Sequence, residues 1–409
     1  MNFVPISAWL NVLLIAVFMA FGRGPALGKS PEVLAHYIPW FASKPVSGVW
    51  GWHWTMNSFN PEKILENGQR SAASHDYPLL GLYDCADADV LECQVLQMKF
   101  SGINGVIIDW YGTKQFNDYG LIHKNTLKLI PYLKKAGLKF ALCYEDQSLK
   151  HMVQGGALKA DEAVPHAKAV MEWVAQNWFA DPAYVQVEKR PLLLVFGPQY
   201  LEESQWAQLW AGQSVKPLFF AMPHLCKQAR ADGAFGWPPV TGGKEITPEV
   251  WRAYLDSLYA RMKQGEPVVA SAFPGFRDIY KEAGLHGSYG SIDEREGATF
   301  RETLDLAFQS GAPVVQIATW NDYGEGTVIE PTWRQGYTLL EEVQSRISKE
   351  AGGVGGFASA DLRLPQELFE VRKRYSGNAV FAERLEQISA LLFEGRVREG
   401  RQRLEEILK

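Results

Sequence analysis

Eight short apolar runs, alternating with helical segments, dominate the first 350 residues of this 409-residue chain. The runs are continuous rather than alternating, which indicates strands buried on both faces, as in a parallel sheet covered by helices. They lie at 33–41, 105–112, 139–146, 190–198, 217–224, 233–239, 267–278 and 313–326. Helical patterns fill the gaps, except between the fifth and sixth runs. This count and order predict an α/β fold, a (β/α)8 TIM barrel, over about residues 31–350.

The two ends of the chain predict further segments. Residues 1–28 contain the apolar stretch ISAWLNVLLIAVFMAFG, which is typical of a secretory signal peptide cleaved near Gly28. The region before it has no Lys or Arg, so an uncleaved N-terminal anchor stays open. We therefore expect a secreted or periplasmic protein, which contacts a membrane only if this segment remains attached. Residues 351–365 predict a Gly-rich linker, and residues 366–409 predict a short helical hairpin.

Composition and motifs narrow the possible partners. The formal net charge of -5 gives no reason to expect a nucleic acid as partner. The four cysteines show neither CxxC spacing nor an accompanying His pattern, so we expect no metal site. The chain also lacks a P-loop, a GxSxG elbow and an HExxH motif, so we expect no cofactor.

Acidic and aromatic residues recur at the carboxyl ends of the predicted strands, where the chemistry of such barrels lies. Burying several unpaired carboxylates in a core is costly, so this recurrence predicts a binding site. For His224, simple packing is the alternative to contact with a ligand. The candidate residues at strand ends are Tyr37, Trp40, Asp109, Trp110, Tyr111, Glu145, His224, Trp237, Trp320, Asn321, Asp322 and Glu325.

A loop after the first strand, GVWGWHWTMN at 48–57, concentrates indole side chains. Trp50, Trp52, His53 and Trp54 fall within five residues. Indole faces pack well against the C–H groups of sugar rings, while the indole N–H stays available for hydroxyls. The loop therefore predicts a sugar platform, and the alternative is a small aromatic core over the barrel mouth.

Two carboxylates lie three residues apart where the eighth strand ends, in ATWNDYGEGTVIEPT at 318–332. Paired acids facing a saccharide are typical of glycosidic bond cleavage, in which one acid protonates the leaving oxygen and the other assists a nucleophile. Asp322 could instead be a turn residue that holds the loop. Glu330 lies past the motif and either pairs with Arg334 or enters the site.

The stretch WNDYGEGTVIEP resembles the closing-strand signature of glycoside hydrolase families 71 and 99. HYIPWF, the segment YPLLGLYDCADADVLECQVLQMKFSGINGVIIDWYG and the aromatic-His loop at 50–54 follow the family 99-like order across most of residues 33–332. The resemblance implies a (β/α)8 enzyme acting on α-linked glycans, which are α-1,3-glucan for family 71 and α-mannosides for family 99.

The resemblance also implies roles for single residues. Glu325 matches the acid proposed as general acid/base, and Asp322 matches its partner. In family 99 the partner is typically Glu and is thought to deprotonate the 2-hydroxyl of the sugar itself. Asp109 and Glu145 would bind sugar hydroxyls or adjust the pKa values of the pair. We expect an endo-acting glycoside hydrolase with an oligo- or polysaccharide substrate, and the alternative is a catalytically silent glycan-binding protein on the same barrel.

Overall fold

A closed barrel of eight parallel strands forms the centre of the protein in the computed structural model, which describes residues 30–353 and 356–409. Each strand pairs with the next, and the last pairs with the first, so the sheet has no free edge. This confirms the predicted TIM barrel. The strands are β1 (Glu32–Tyr37), β2 (Gly105–Trp110), β3 (Lys139–Tyr144), β4 (Arg190–Val195), β5 (Leu218–Ala221), β6 (Gly233–Phe235), β7 (Val268–Ala272) and β8 (Val314–Ile317).

The barrel strands are buried on both faces, as their continuous apolar runs predict. Every residue of β2 is buried, and so are all but the first residue of β3 and of β4. Gly105 begins β2 where a Cβ would lie 2.2 Å from the carbonyl oxygen of Lys139, so only glycine fits this strand contact. The wall of the barrel therefore follows directly from the sequence pattern.

Fourteen α-helices are present in the described ranges, and most of them cover the outside of the barrel. The helix between β5 and β6 has only four residues, in agreement with the weak helical pattern there. The helices are α1 (Lys44–Ser47), α2 (Trp52–Thr55), α3 (Ala88–Ser101), α4 (Tyr119–Ala136), α5 (Gln147–Gln154), α6 (Ala163–Val174), α7 (Glu203–Trp210), α8 (Cys226–Ala229), α9 (Pro248–Ala260), α10 (Ala298–Gln309), α11 (Thr338–Glu350), α12 (Leu364–Arg374), α13 (Ala379–Phe393) and α14 (Val397–Leu408).

Shorter strands and helical turns lie in the loops. Four two- or three-residue strands lie outside the barrel, at Gln186–Val187, Lys244–Glu245, Phe276–Arg277 and Gly290–Ile292. Single turns of 3-10 helix occur at Ala160–Glu162, Arg261–Gln264, Arg295–Gly297 and Ser359–Arg363, and a π-helical turn continues α6 at Ala175–Phe179. The strand Phe276–Arg277 matters for the site, because it supports the loop that follows β8.

The C-terminal segment forms three helices, α12 to α14, where the sequence predicted a hairpin. Gly395, with φ of 79°, interrupts the second predicted helix and separates α13 from α14. Leu368 and Val371 of α12 are buried in the same hydrophobic cluster as the barrel helices. Arg372 pairs with the buried Glu92 of α3 at 2.7 Å. These helices therefore share the core of the barrel, and a short 3-10 turn lies inside the predicted linker.

The N-terminal segment and the cysteines complete the description of the chain. The predicted signal peptide or anchor at 1–28 lies outside the described residues. Across the ranges that are described, no helix combines the length and the apolar character needed to cross a bilayer. All four cysteines carry free thiols, and three of them are buried.

Candidate active site

A cavity of about 970 Å³ opens at the carboxyl ends of the barrel strands. Its walls come from the loops that follow most of the strands, so residues far apart in the sequence face one space. The predicted site residues that line it are Trp40, Trp52, His53, Asp109, Tyr111, Glu145, Trp237, Asp322 and Glu325. The structure thus brings together the two acids of the eighth strand, the acids of the second and third strands, and part of the aromatic loop.

The loop after β8 is held in a turn that places both of its acids at the cavity. The backbone N–H of Asp322 donates to Thr319 Oγ1 at 2.8 Å. Asp322 Oδ1 in turn accepts a hydrogen bond from the backbone N–H of Glu325 at 3.0 Å. Asp322 is therefore a turn residue and a cavity residue at once, and its side chain fixes the position of the acid that follows it.

Gly326 allows this loop to lie against the strand segment Phe276–Arg277. The backbone N–H of Arg277 donates to the carbonyl oxygen of Glu325 at 2.8 Å. At Gly326, φ is 65°, and a Cβ would lie 2.8 Å from the carbonyl oxygen of Arg277. Glycine tolerates this left-handed conformation and this close approach, whereas other residues are strained there.

The two acids of the loop differ in their environment. Burial raises the pKa of Asp322 to about 6, although the backbone N–H groups of Gly324 and Glu325 partly offset this by stabilising the carboxylate. Burial raises the pKa of Glu325 well above its ordinary value, and the charge of Asp322 raises it further. Asp322 therefore ionises first, and its charge keeps Glu325 protonated.

Asp109 and Glu145 add two more carboxyl groups at the ends of β2 and β3. Burial raises the pKa of Asp109 to about 8; a hydrogen bond from Tyr111 opposes this shift, and the charge of Asp322 adds to it. Burial, followed by the charge of Asp109, raises the pKa of Glu145 well above its ordinary value. Glu145 accepts a hydrogen bond from Gln147 Nε2 at 2.6 Å. Four carboxyl groups with raised pKa values thus face the same cavity.

Aromatic rings form another wall of the cavity. The His53 ring stacks on Trp40, with centroids 3.9 Å apart and planes 4° apart. His53 Nε2 lies 2.9 Å from Asp118 Oδ2, which fixes the ring. Trp52 meets His53 edge-on at 4.9 Å and remains 41% exposed. Trp40 and Trp52 therefore offer indole surface to a ligand, as the sugar-platform interpretation requires.

Three aromatic residues predicted for the site lie elsewhere. Tyr37 is fully buried behind the barrel wall, where its hydroxyl donates to Gln94 at 2.7 Å. Trp54 is also fully buried, and its Nε1 donates to the carbonyl oxygen of Tyr83. Trp50 donates to the exposed Glu62 at 2.8 Å, outside the cavity. For Trp54 the alternative interpretation, an aromatic mini-core, is correct.

Four more residues predicted for the site do not line the cavity. Trp110 is fully buried on the outer side of the barrel, stacked on Trp173. Trp320 is fully buried, and His224 is exposed in the loop after β5 without lining the cavity. Asn321 is a structural link between β8 and β1. Its Oδ1 accepts from the backbone N–H of Ile38 at 2.8 Å, and its Nδ2 donates to the carbonyl oxygen of Ile38 at 3.0 Å.

Several cavity residues were not among the sequence-predicted candidates. Asp118 had a usable signal, because it follows β2 as an acid in a long loop. Tyr280 and Tyr289 had none, since they lie far along the loop after β7 and only the fold returns them to the cavity. The polar side chains of this group are His36, Asn117, Asp118, Tyr119, Gln147, His151, Gln199, Tyr280 and Tyr289.

Glu330 lies beneath the loop that follows β8 instead of pairing with Arg334, which binds Asp76 and Glu294. Only 3% of Glu330 is exposed. Its carboxyl group accepts hydrogen bonds from Gln94 (2.6 Å), Tyr323 (2.7 Å) and Tyr83 (2.9 Å). Burial raises its pKa to about 7, and these hydrogen bonds limit the rise. Glu330 therefore supports the loop from below and does not reach the cavity.

Comparison with known proteins gives matches along most of the chain. A family model described as glycosyltransferase WbsX matches residues 34–265. The uncharacterized protein WxcX of Xanthomonas campestris pv. campestris is 23% identical over 358 residues, which cover 78% of this chain and 50% of that protein. This chain therefore spans about half the length of that relative. Mouse glycoprotein endo-alpha-1,2-mannosidase is 22% identical over 328 residues, which cover 72% of this chain and 67% of the mouse protein.

Solved structures share the barrel. The family 99 (GH99) endo-alpha-mannosidase of Bacteroides thetaiotaomicron, in complex with bis-tris propane, superposes with a TM-score of 0.61 at 18% identity, over 78% of this chain and 97% of that one. A second structure of this enzyme gives a TM-score of 0.60 at 18% identity, over 80% and 99% of the two chains. The fold is thus like that of family 99, and the expected resemblance is confirmed.

Proposed function

Because this chain belongs to the family described as glycosyltransferase WbsX and has a family 99-like barrel, we propose that it is a glycoside hydrolase that cleaves α-linked glycans. One observation carries the proposal. Asp322 and Glu325 reach the same cavity from one strand end, and their surroundings give them different protonation states. Pairs of acids whose pKa values are separated in this way serve as the base and the acid of one reaction.

The proposed first step uses both groups at once. Glu325 donates its proton to the oxygen of the leaving sugar, and the bond from that oxygen to C1 breaks. Asp322 takes the proton of the 2-hydroxyl of the remaining sugar, whose oxygen then bonds to C1 and closes a 1,2-anhydro ring. In the second step Glu325 takes a proton from water, the hydroxide adds to C1 as the C1–O2 bond of the anhydro ring breaks, and Asp322 returns its proton to O2. The raised pKa of Glu325 supports its role as acid at neutral pH.

The remaining cavity residues would bind the glycan. Asp109 and Glu145 are placed to accept hydrogen bonds from sugar hydroxyls, while Trp40 and Trp52 provide apolar faces for the sugar rings. The fold relatives named for endo-α-mannosidase activity make α-mannosides the first substrates to test. α-1,3-Glucan is the second class, since Asp322 occupies a position where family 71 has Asp.

Proton NMR of the protein with α-manno-oligosaccharides or α-1,3-glucan oligosaccharides tests the proposal. New reducing-end signals are expected with one class. Glu325→Gln should reduce turnover by about 10²- to 10⁴-fold, the usual contribution of a general acid, while saturation-transfer signals from the glycan persist. Glu245→Gln, an exposed acid outside the cavity, is the matched control. Turnover that Glu325→Gln leaves unchanged would refute the assignment.

Two other functions predict different outcomes in the same experiment. A catalytically silent glycan-binding protein, favoured by the short Asp322 side chain in place of Glu, would give saturation transfer without product. A transferase, favoured by the description of the family, would pass the sugar to an acceptor hydroxyl. Longer glycans would then accumulate when acceptor oligosaccharide is added, and free reducing ends would not.

A further inference from the structure

Acidic side chains line the cavity, and at neutral pH the carboxylates of Asp322 and Asp118 carry its negative charge. Five carboxyl groups line it, those of Asp109, Asp118, Glu145, Asp322 and Glu325. Within the ranges 30–353 and 356–409, no Lys or Arg side chain belongs to the lining. The cavity therefore holds a group of acids without the basic side chains that usually accompany buried carboxylates.

The histidines of the cavity do not compensate for this charge. Burial lowers the pKa of His36 to about 4, so its ring is neutral at neutral pH. Burial also lowers the pKa values of His53 and His151, in the latter with help from the charge of Lys150. The cavity is thus lined by carboxyl groups and by neutral rings, without a cationic side chain from the described residues.

Two of the acids have oxygens that the described chain leaves without a partner. Asp109 is only 3% exposed, yet its Oδ1 accepts no hydrogen bond from the described residues. The same holds for Oε2 of Glu325. Asp118, in contrast, is satisfied by His53. A buried polar oxygen without a partner is unfavourable, so these two oxygens are placed to form hydrogen bonds with a ligand.

We propose that the cavity selects its glycan by charge: it binds sugar residues that bring hydroxyl or ammonium donors and rejects those that carry a carboxylate or a phosphate. This inference rests on the proposed function, since it concerns the glycan bound at the same acids. Hydroxyl groups form hydrogen bonds with the free oxygens of Asp109 and Glu325, and ammonium groups are attracted by the ionised Asp322 and Asp118. A carboxylate or phosphate is repelled by the charges of Asp322 and Asp118, which the protein interior screens less than bulk water does. Sugar nucleotides, with their diphosphate, fall in the rejected class.

A matched set of three disaccharides tests the selection. The set consists of α-mannobiose, the same disaccharide with 6-amino-6-deoxymannose at its non-reducing end, and the same disaccharide with mannuronic acid there. Calorimetric titration of Glu325→Gln, which prevents turnover, measures binding alone. We expect the amine to bind at least as tightly as the parent and the uronic acid roughly tenfold or more weakly, as repulsion between close like charges requires. Uridine diphosphate alone should not bind.

Removal of one negative charge from the cavity should reduce the difference in affinity between the disaccharide with the amine and the disaccharide with the uronic acid. Asp322→Asn, made in the same Glu325→Gln background, keeps the size of the side chain and removes its charge. Asp118→Asn is a second variant in case the first does not fold, and Glu245→Gln is the control that should leave the ratio of affinities unchanged. Circular dichroism verifies that each variant is folded.

The outcomes separate this inference from the proposed function. If the parent disaccharide binds and the uronic acid binds as tightly or more tightly, selection by charge is wrong and the proposed function stands. If the parent neither binds Glu325→Gln nor is cleaved by the unaltered protein, and α-1,3-glucan oligosaccharides behave likewise, the proposed function fails and the inference fails with it.

Discussion

Glu330 offers a quantitative test of how the loop after β8 is supported. It is buried beneath the loop and accepts three hydrogen bonds, from Gln94, Tyr323 and Tyr83. We consider Glu330→Gln, which keeps the shape of the side chain and removes its ability to ionise. The amide turns one acceptor oxygen into a donor that meets other donors. This loss costs about 1 kcal/mol, the net contribution of one hydrogen bond.

The unaltered protein loses free energy of unfolding at higher pH. The pKa of Glu330 is about 7 in the folded chain, against an ordinary value of 4.5. Between these values the folded chain binds more protons than the unfolded chain, so the free energy of unfolding falls as the pH rises. Each tenfold change in acidity corresponds to about 1.4 kcal/mol, so ionisation of Glu330 removes about 3 kcal/mol by the time the pH exceeds 7. The neutral amide of the variant avoids this loss.

The two effects predict that the variant gains stability relative to the unaltered protein as the pH rises. At about pH 5 the unaltered protein has already lost about 1 kcal/mol, because this pH lies above the ordinary pKa of 4.5. Glu330→Gln should therefore be about as stable as the unaltered protein at about pH 5 and about 2 kcal/mol more stable at about pH 8. Urea unfolding, followed by tryptophan fluorescence at both pH values, measures the two differences, and other titrating groups cancel in the comparison. Glu245→Gln, which is exposed, should show no such change. A difference in unfolding free energy that is the same at both pH values, or that moves the other way, refutes the reasoning.

The site and the packing of the chain give three further predictions. Below about pH 6, kcat/KM should fall about tenfold for each pH unit, because Asp322 must be ionised to accept a proton and its pKa is about 6; a profile that stays flat down to about pH 4 contradicts this role. Gly326→Ala should lower the unfolding free energy by about 1–3 kcal/mol, because the left-handed backbone and the nearby Arg277 carbonyl leave no room for a Cβ; unchanged urea unfolding would disprove it. Arg372→Met should cost about 3–5 kcal/mol by leaving Glu92 buried without its cation, and adding Glu92→Gln should restore much of that stability.

Adjacent residues at strand ends show why some site predictions failed. His36 faces the cavity, whereas its neighbour Tyr37 points into the layer behind the wall. In the same way, Asp109 faces the cavity, whereas its neighbour Trp110 packs against Trp173 on the outer side of the barrel. Successive side chains of a strand point to opposite faces. In a barrel covered by helices both faces are apolar, so the sequence shows no alternation that would tell which neighbour faces inward.

The prediction for the aromatic loop at 48–57 was only partly correct, for a related reason. Trp52 and Trp54 lie in one short helix, where residues two apart point in different directions. Trp52 is 41% exposed at the cavity, and Trp54 is fully buried against Phe41. Sequence spacing could not distinguish them, because both are indoles in the same local segment and only the surrounding packing differs.

The sequence by itself determined the barrel and the place of its acids. Continuous apolar runs can only be satisfied by burial on both faces, and the carboxyl ends of parallel strands meet at one end of a barrel. Asp109, Glu145, Asp322 and Glu325 were therefore predictable as neighbours. The protonation of these acids was decided by tertiary structure alone. It depends on burial, on backbone N–H groups aimed at Asp322, and on the distance between charges that the chain brings together only when it is folded.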